Sequence, residues 1–173
     1  MDKQFTVHPG NQTARLGQPT VLSCDINSGP PANISWERDG ATLPQDARYH
    51  KLDNDLIITD VKQEDAGLYR CKATNQYLNR VPTSHAGQLQ VQKSEDQDVR
   101  FLDVRYQKNV TAARGSKVLL ACPVLGWPRP KLIWELTPAN GRACELDVTD
   151  EVLVLSQLEY DQEGLYSCSV EGH

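Results

Sequence analysis

The stretch CDINSGPPANISW, residues 24–36, decides the fold because its end residues return later in the chain. It runs from Cys24 to Trp36, and CPVLGWPRPKLIW, residues 122–134, has the same two residues 98 positions further on. A Tyr-x-Cys pair follows each stretch. The matched residues are Cys24 with Cys122, Trp36 with Trp134, Tyr69 with Tyr166, and Cys71 with Cys168. Four landmarks repeating at 98 or 97 residues predict two copies of one domain.

Each copy has the pattern of short strands rather than helices. Apolar residues alternate around the landmarks, as in Leu22 and Cys24 or Ile34 and Trp36, and no segment has a helical period of 3.6. Turn-forming pairs such as Asp39-Gly40 separate the runs. The sequence therefore predicts an all-β chain of two tandem sandwiches.

The order Cys, Trp 12 residues later, then Tyr-x-Cys resembles the immunoglobulin sandwich over nearly the whole chain. The distance from each Trp to the later Cys, 35 or 34 residues, leaves no room for the C″ strand of a variable-type domain. Both copies therefore resemble the intermediate (I) set. The resemblance implies disulfides Cys24–Cys71 and Cys122–Cys168, core tryptophans Trp36 and Trp134, and tyrosine corners at Tyr69 and Tyr166.

The two copies differ at one end of the sandwich. Copy one has the family motif Asp65-x-Gly67-x-Tyr69-x-Cys71, and the resemblance makes Arg48 the salt-bridge partner of Asp65. In copy two Gln162 stands at the Asp position, and Glu145 or Leu146 stands at the Arg position. We expect this end of the second domain to be held together differently.

The predicted boundaries are 4–92 for domain one, 93–98 for an acidic linker and 99–173 for domain two. Only five residues follow Cys168, so most of strand G is absent from the second domain. Either a longer chain or another chain would supply that strand. Met1-Asp2-Lys3 has no signal-peptide pattern, so we expect the natural protein to extend further in both directions.

Paired cysteines and sugar acceptors predict an extracellular location. Sequons occur at Asn11, Asn33 and Asn109. Their positions leave the FG loop of domain one (75–80) free of acceptors. No apolar run is long enough to span a membrane, so we expect an ectodomain whose anchor lies outside this sequence.

Catalysis and general nucleic-acid binding are not expected. The net charge is −5, which argues against general nucleic-acid binding. The four histidines are scattered, and no acidic cluster has the spacing of a calcium loop. The sequence predicts no metal site, no cofactor and no enzyme.

Two segments are candidate partner contacts. The FG loop of domain one carries Tyr77, Leu78 and Arg80, which favour either a partner contact or an ordinary interdomain loop. Trp127 lies between Gly126 and Pro128 in the predicted BC loop of domain two. It is either a contact anchor or a lid on its own sandwich.

A basic set at the start of domain two is a candidate glycosaminoglycan site. Acidic residues lie close to it in sequence, so a charge-balanced surface is the alternative. The set comprises Arg100, Arg105, Lys108, Arg114 and Lys117.

Cys144 is left over when the family pairing is applied to the five cysteines. We expect it near the edge where strand D would run. Three interpretations remain open: a half-buried free thiol, a partner for a cysteine beyond His173, or an intermolecular bridge.

The run from Gly126 to Trp134 and the stretches Arg48-Tyr49 and Leu56-Ile57-Ile58 resemble I-set domains of developmental receptors. The similar families are the DCC, neogenin and protogenin group and the Off-track-like pseudokinase receptors. The resemblance implies a receptor or adhesion ectodomain that recognises an extracellular or cell-surface protein, including itself. The alternatives are a structural spacer that holds distal domains away from the membrane, and a heparan-sulfate-binding co-receptor module.

Overall fold

The computed structural model describes residues 4–27, 32–74, 81–102 and 109–172. Strands and turns make up this part of the chain, with two single-turn 3-10 segments at Gln63–Asp65 and Tyr160–Gln162. Contacts divide the chain into two compact units, Met1–Ser94 and Glu95–His173. The predicted all-β class is confirmed.

Unit one is a two-layered sandwich. Its strands are β1 (Gln4–Val7), β2 (Gln12–Arg15), β3 (Thr20–Leu22), β4 (Asp25–Asn27), β5 (Asn33–Arg38), β6 (Ala41–Thr42), β7 (Tyr49–Leu52), β8 (Asp55–Ile58), β9 (Gly67–Thr74) and β10 (Gly87–Gln92). One layer contains β3, β8 and β7, with β1 paired to β4, and the other has the order β2-β10-β9-β5-β6.

Strand β9 shows how alternation builds the core of unit one. Tyr69, Cys71 and Ala73 are fully buried between the layers, whereas the residues between them face outward. Antiparallel pairing with β5 places Trp36 opposite Cys71. The core therefore forms around one Cys and one Trp on neighbouring strands.

The first strand of unit one changes sheets between Val7 and Gln12. β1 pairs with β4 in one layer, whereas β2 runs parallel to β10 in the other. The crossover lies so close to β10 that a Cβ on Gly87 would stand 2.6 Å from the Pro9 carbonyl oxygen. Gly87 is therefore required for this close approach.

Unit two has a smaller set of strands. The strands are β11 (Gln97–Phe101), β12 (Val118–Ala121), β13 (Val124–Trp127), β14 (Leu132–Thr137), β15 (Cys144–Leu146), β16 (Val152–Leu155) and β17 (Leu165–Val170). β11 pairs with β13, β12 pairs with β16, and the remaining strands have the order β15-β14-β17.

One side of β17 is open among the described residues. β17 pairs with β14, but the place that β10 takes beside β9 in unit one is a groove of about 620 Å³. Leu120, Trp134 and Tyr166 line it, and Leu165 at its rim is 70% exposed. Within this part of the chain, no strand pairs with that side of β17.

Two expectations about segment placement need correction. β11 begins at Gln97, inside the predicted 93–98 linker, because it forms a ladder with β13. Cys144 does not lie at a strand D edge, because β15 pairs with β14 and joins the sheet that holds Trp134.

Candidate recognition and modification sites

The structure forms both disulfides that the resemblance implied. Cys24–Cys71 and Cys122–Cys168 have Cα–Cα distances of 6.5 and 6.6 Å. In each unit the tryptophan indole donates to a backbone carbonyl, Trp36 to Asn54 at 3.1 Å and Trp134 to Asp150 at 2.8 Å. Each indole N–H is therefore satisfied at the margin of the core.

Both tyrosine corners are present with matching geometry. The Tyr69 hydroxyl donates to the Asp65 carbonyl oxygen at 2.5 Å, and the Tyr166 hydroxyl donates to the Gln162 carbonyl oxygen at 2.5 Å. Each bond fixes a 3-10 turn against the strand that follows it. This part of the architecture is common to both units.

Asp65 is the centre of a buried polar cluster in unit one. Its side chain is fully buried and accepts two hydrogen bonds from the Arg48 guanidinium, at 2.7 and 3.1 Å. The Tyr49 hydroxyl donates to it at 2.5 Å and the Lys62 backbone N–H at 2.7 Å. The predicted Arg48–Asp65 salt bridge is present and is bidentate.

Burial and hydrogen bonding act in opposite directions on the Asp65 carboxyl. Burial favours the neutral acid, but the bonds from Arg48, from the Lys62 N–H and from Tyr49 outweigh it and lower the pKa of Asp65. Burial, followed by the bond to Asp65, raises the pKa of Tyr49. The cluster is therefore a charged pair with its acceptor oxygens occupied.

Unit two replaces this cluster with weaker contacts. The Gln162 side-chain oxygen accepts the Glu159 backbone N–H at 2.8 Å, which reproduces only the turn-capping bond of Asp65. Arg114 forms a 3.0 Å ion pair with Glu159 and lies over the Tyr160 ring. Both charged side chains are largely exposed. The end of unit two is thus held differently, as the sequence indicated.

The three sugar acceptors are exposed. Asn11 precedes β2, and its side-chain oxygen accepts the Gln88 backbone N–H at 2.9 Å. Asn33 begins β5 opposite Thr74, the residue directly before the FG loop. The FG loop itself, 75–80, lies outside the described residues, so the expectation that it is free of sugar acceptors stays a prediction.

The candidate partner contacts fall in different environments. Tyr77, Leu78 and Arg80 lie outside the described residues. Trp127 is the half-buried last residue of β13, opposite Gln97, and its peptide bond to Pro128 is cis. Its predicted position in a loop is therefore wrong, because the ladder with β11 extends to this residue.

The proposed basic set is not a uniform patch. Arg100 and Lys117 are exposed, Arg114 is engaged by Glu159, and Arg105 and Lys108 lie outside the described residues. The remaining candidate, Cys144, is an exposed free thiol with its sulfur 3.6 Å from the Arg142 carbonyl oxygen. Its exposure differs from the half-buried state that one of the three interpretations assumed.

An ion pair that could not be expected from the sequence connects a turn of unit two to the start of β16. Arg129 pairs with the buried carboxylate of Glu151 and also donates to the Val124 carbonyl oxygen at 2.9 Å. Arg129 lies between two prolines, and no spacing rule connects it to Glu151. Only the three-dimensional fold brings the two together.

Within the described residues, no group of three or more His, Cys, Asp or Glu side chains is arranged to hold a metal ion. No helix in this part of the chain has the length and apolar character needed to cross a membrane.

Comparison with known proteins agrees with the bridged sandwiches. A family model described as "Immunoglobulin domain" matches residues 4–75. The chain folds as two tandem immunoglobulin-like sandwiches. The second domain follows from the repeated landmarks and its own bridge between Cys122 and Cys168.

Several curated proteins are similar to this tandem. Human fibroblast growth factor receptor-like 1 is 29% identical over 92% of this chain, and the chain spans only 37% of that protein. Mouse protogenin is 30% identical over 95% of this chain and 14% of its own length, which supports the predicted receptor resemblance. The muscle M-line assembly protein unc-89 of Caenorhabditis elegans is 30% identical over 93% of this chain and 2% of its own length.

A solved structure shows the same fold at lower sequence similarity. The four N-terminal immunoglobulin domains of Dscam1 isoform 4.44 match 96% of this chain and 49% of that chain. The TM-score is 0.75 and the identity is 19%. This likeness concerns the fold.

Proposed function

We propose that this tandem belongs to the extracellular part of a cell-surface receptor or adhesion protein, where it recognises another protein. The observation that carries the proposal is the pair of bridged immunoglobulin domains in a chain similar to fibroblast growth factor receptor-like 1 and protogenin. An anchor outside this sequence would hold the protein at the outer face of the plasma membrane.

The disulfides are the main support for the extracellular location. The similarity to an M-line assembly protein means that the fold alone does not fix a compartment. Structural disulfides persist in oxidising compartments and are rare in the cytosol. Exposed sequons at Asn11, Asn33 and Asn109 are further support, since sugars are added in the secretory pathway.

The distribution of acceptors in unit one favours recognition over a spacer. Asn33 begins β5 of the five-stranded sheet, and Asn11 is the crossover residue directly before β2 of the same sheet. The layer of β3, β8 and β7 contains no sequon. One bare face beside one sugared face suits a protein that must leave a surface open for a partner.

A binding screen tests this proposal. The glycosylated chain is displayed against extracellular proteins and against itself, with sedimentation to detect self-association. Tyr77→Ala tests the FG loop, and Lys51→Glu tests the layer of β3, β8 and β7, which has no sequon. Gln90→Ala on the five-stranded sheet is the matched control. Loss of binding in either of the first two, with the control unchanged, locates the contact. A chain with no partner that sediments as a strict monomer would instead support the spacer function.

Heparan sulfate is the second candidate ligand. The exposed Arg100 and Lys117 favour it, but the Glu159 contact of Arg114 weakens the patch. Heparin chromatography decides the matter, because elution at or below ordinary ionic strength excludes a functional site.

A further inference from the structure

A pair of stacked histidines joins the sheet crossover of unit one to the segment that enters β10. His8 lies in the crossover directly after β1, and His85 lies two residues before β10. The His85 backbone N–H donates to Nδ1 of His8 at 3.0 Å. The two rings are stacked, with centroids 4.1 Å apart and an interplanar angle of 12°.

The contact belongs to a short seam in which side chains take the place of a strand ladder. Ser84 accepts the Cys71 N–H at 3.0 Å and donates to the His85 carbonyl oxygen at 2.9 Å. On the other side, Asn11 accepts the Gln88 N–H at 2.9 Å. His8 and Asn11 thus provide the side-chain acceptors that hold the crossover to the entry of β10.

We propose that His8 and His85 form a pH-sensitive latch that closes this seam at neutral pH and opens it on mild acidification. Nδ1 of a neutral imidazole accepts a hydrogen bond only when it carries no proton. Protonation turns it into a donor that faces the His85 N–H, so the bond is lost. A proton on His8 would also place a positive charge in direct stacking contact with the His85 ring.

Among the described residues, few charged groups lie on the elements next to the latch. β1, the crossover and β10 carry no Asp, Glu, Lys or Arg, so charge comes from β4 and β9. Asp25 on β4 lies opposite Val7, and its carboxylate accepts bonds from Ile26 N–H and the Asn54 amide. Arg70 and Lys72 on β9 are cationic, with Lys72 paired to Glu37 at 2.8 Å. The charges of Arg70 and Lys72 do not favour a further positive charge on His8.

The direction of the pH effect follows from the folded state. Burial of the ring, followed by the neighbouring His85, lowers the pKa of His8 below 6.5. A base with a lowered folded pKa contributes its full stability above 6.5 and loses it as the pH falls through the folded value. If the closed latch takes up no proton, its closing constant falls about tenfold between roughly pH 7.5 and roughly pH 5.5.

Hydrogen exchange of the His85 amide measures the latch directly. In the wild-type chain, its protection factor, corrected for intrinsic exchange, should fall over that pH range, by at most about tenfold. His8→Asn keeps an acceptor at the δ position without a titrating group, so its protection should not depend on pH. His8→Ala removes the acceptor and should give low protection at both pH values. His85→Ala keeps the backbone donor and should retain a pH-dependent bond to His8.

The matched control is β17 in unit two, whose protection reports on acid effects elsewhere in the chain. The latch is refuted if the His85 amide of His8→Asn loses as much protection on acidification as that of the wild-type chain. It is also refuted if the His85 amide of His8→Ala is as protected at neutral pH as that of the wild-type chain. A nuclear magnetic resonance titration of His8 gives a second reading. A His8 pKa at or above 6.5 in the folded chain also contradicts the proposal.

Discussion

Replacing Asp65 with alanine should destabilise unit one far more than the matching change destabilises unit two. The substitution removes a buried carboxylate that accepts bonds from Arg48, Tyr49 and the Lys62 N–H. Arg48 then stays mostly buried without its main partner. Breaking such a pair costs about 3 to 5 kcal/mol in free energy of unfolding.

Gln162→Ala is the internal control for this prediction. Gln162 stands at the position of Asp65, but among the described residues its side chain makes only the turn bond from the Glu159 N–H. Losing one neutral hydrogen bond costs about 1 kcal/mol. The two substitutions remove side chains from equivalent turns, so their difference isolates the charged cluster.

Urea-dependent hydrogen exchange on the whole chain distinguishes the two units. Peptides from β9 report the unfolding free energy of unit one, and peptides from β17 report that of unit two. We expect Asp65→Ala to lower the β9 value by about 3 kcal/mol or more and to leave the β17 value unchanged. A loss no larger than that caused by Gln162→Ala would show that the Arg48–Asp65 cluster does not stabilise the domain.

Three further predictions concern titration, thiol access and glycosylation. The folded pKa of Asp65 is lowered from 3.8, so the stability that its carboxylate contributes is present above that pH and is lost as the pH falls below it. Acid titration followed by hydrogen exchange should therefore lower the protection of β9 more than that of β17. Equal losses of protection in the two strands would contradict this prediction. Native alkylation followed by mass analysis should modify Cys144 alone, since the other four cysteines are in disulfides; a second modified cysteine would refute the pairing. Thr13→Ala should remove the sugar at Asn11 without loss of thermal stability, whereas Asn11→Gln should remove the sugar and also weaken the bond to the Gln88 N–H, by about 1 kcal/mol; equal melting temperatures would show that this bond is not stabilising.

The features predicted from sequence are those fixed by local spacing. The Cys-Trp interval and the Tyr-x-Cys pair depend on which residues of a strand face the core, so they identify the sandwich in both copies. The Arg48–Asp65 pair could be expected because the family motif includes it. Both disulfides follow from the same resemblance.

The features that were misplaced depend on which strands pair. Sequence reasoning put Cys144 beside a strand D, but the segment that follows β14 pairs back onto it. It also put Trp127 in a loop, although β13 pairs with β11 as far as this residue. Neither register can be read from residue spacing, because both are set by tertiary packing.

The histidine latch and the Arg129–Glu151 pair were not visible in the sequence for the same reason. His8 and His85 are 77 residues apart, and only the crossing of the first strand between sheets joins them. The separation between Arg129 and Glu151 is 22 residues, with no periodic pattern between them. Long-range polar contacts of this kind result from the fold, so residue spacing does not predict them.

The covalent state of the natural protein, isolated from the cells that make it, tests the extracellular account most directly. Mass spectrometry without reduction, before and after enzymatic removal of N-linked sugars, identifies both the disulfides and the glycosylated asparagines. We predict the bridges Cys24–Cys71 and Cys122–Cys168 together with sugar on Asn11, Asn33 and Asn109. Free thiols at those four cysteines and unmodified asparagines would contradict the account and place the chain with intracellular assembly proteins.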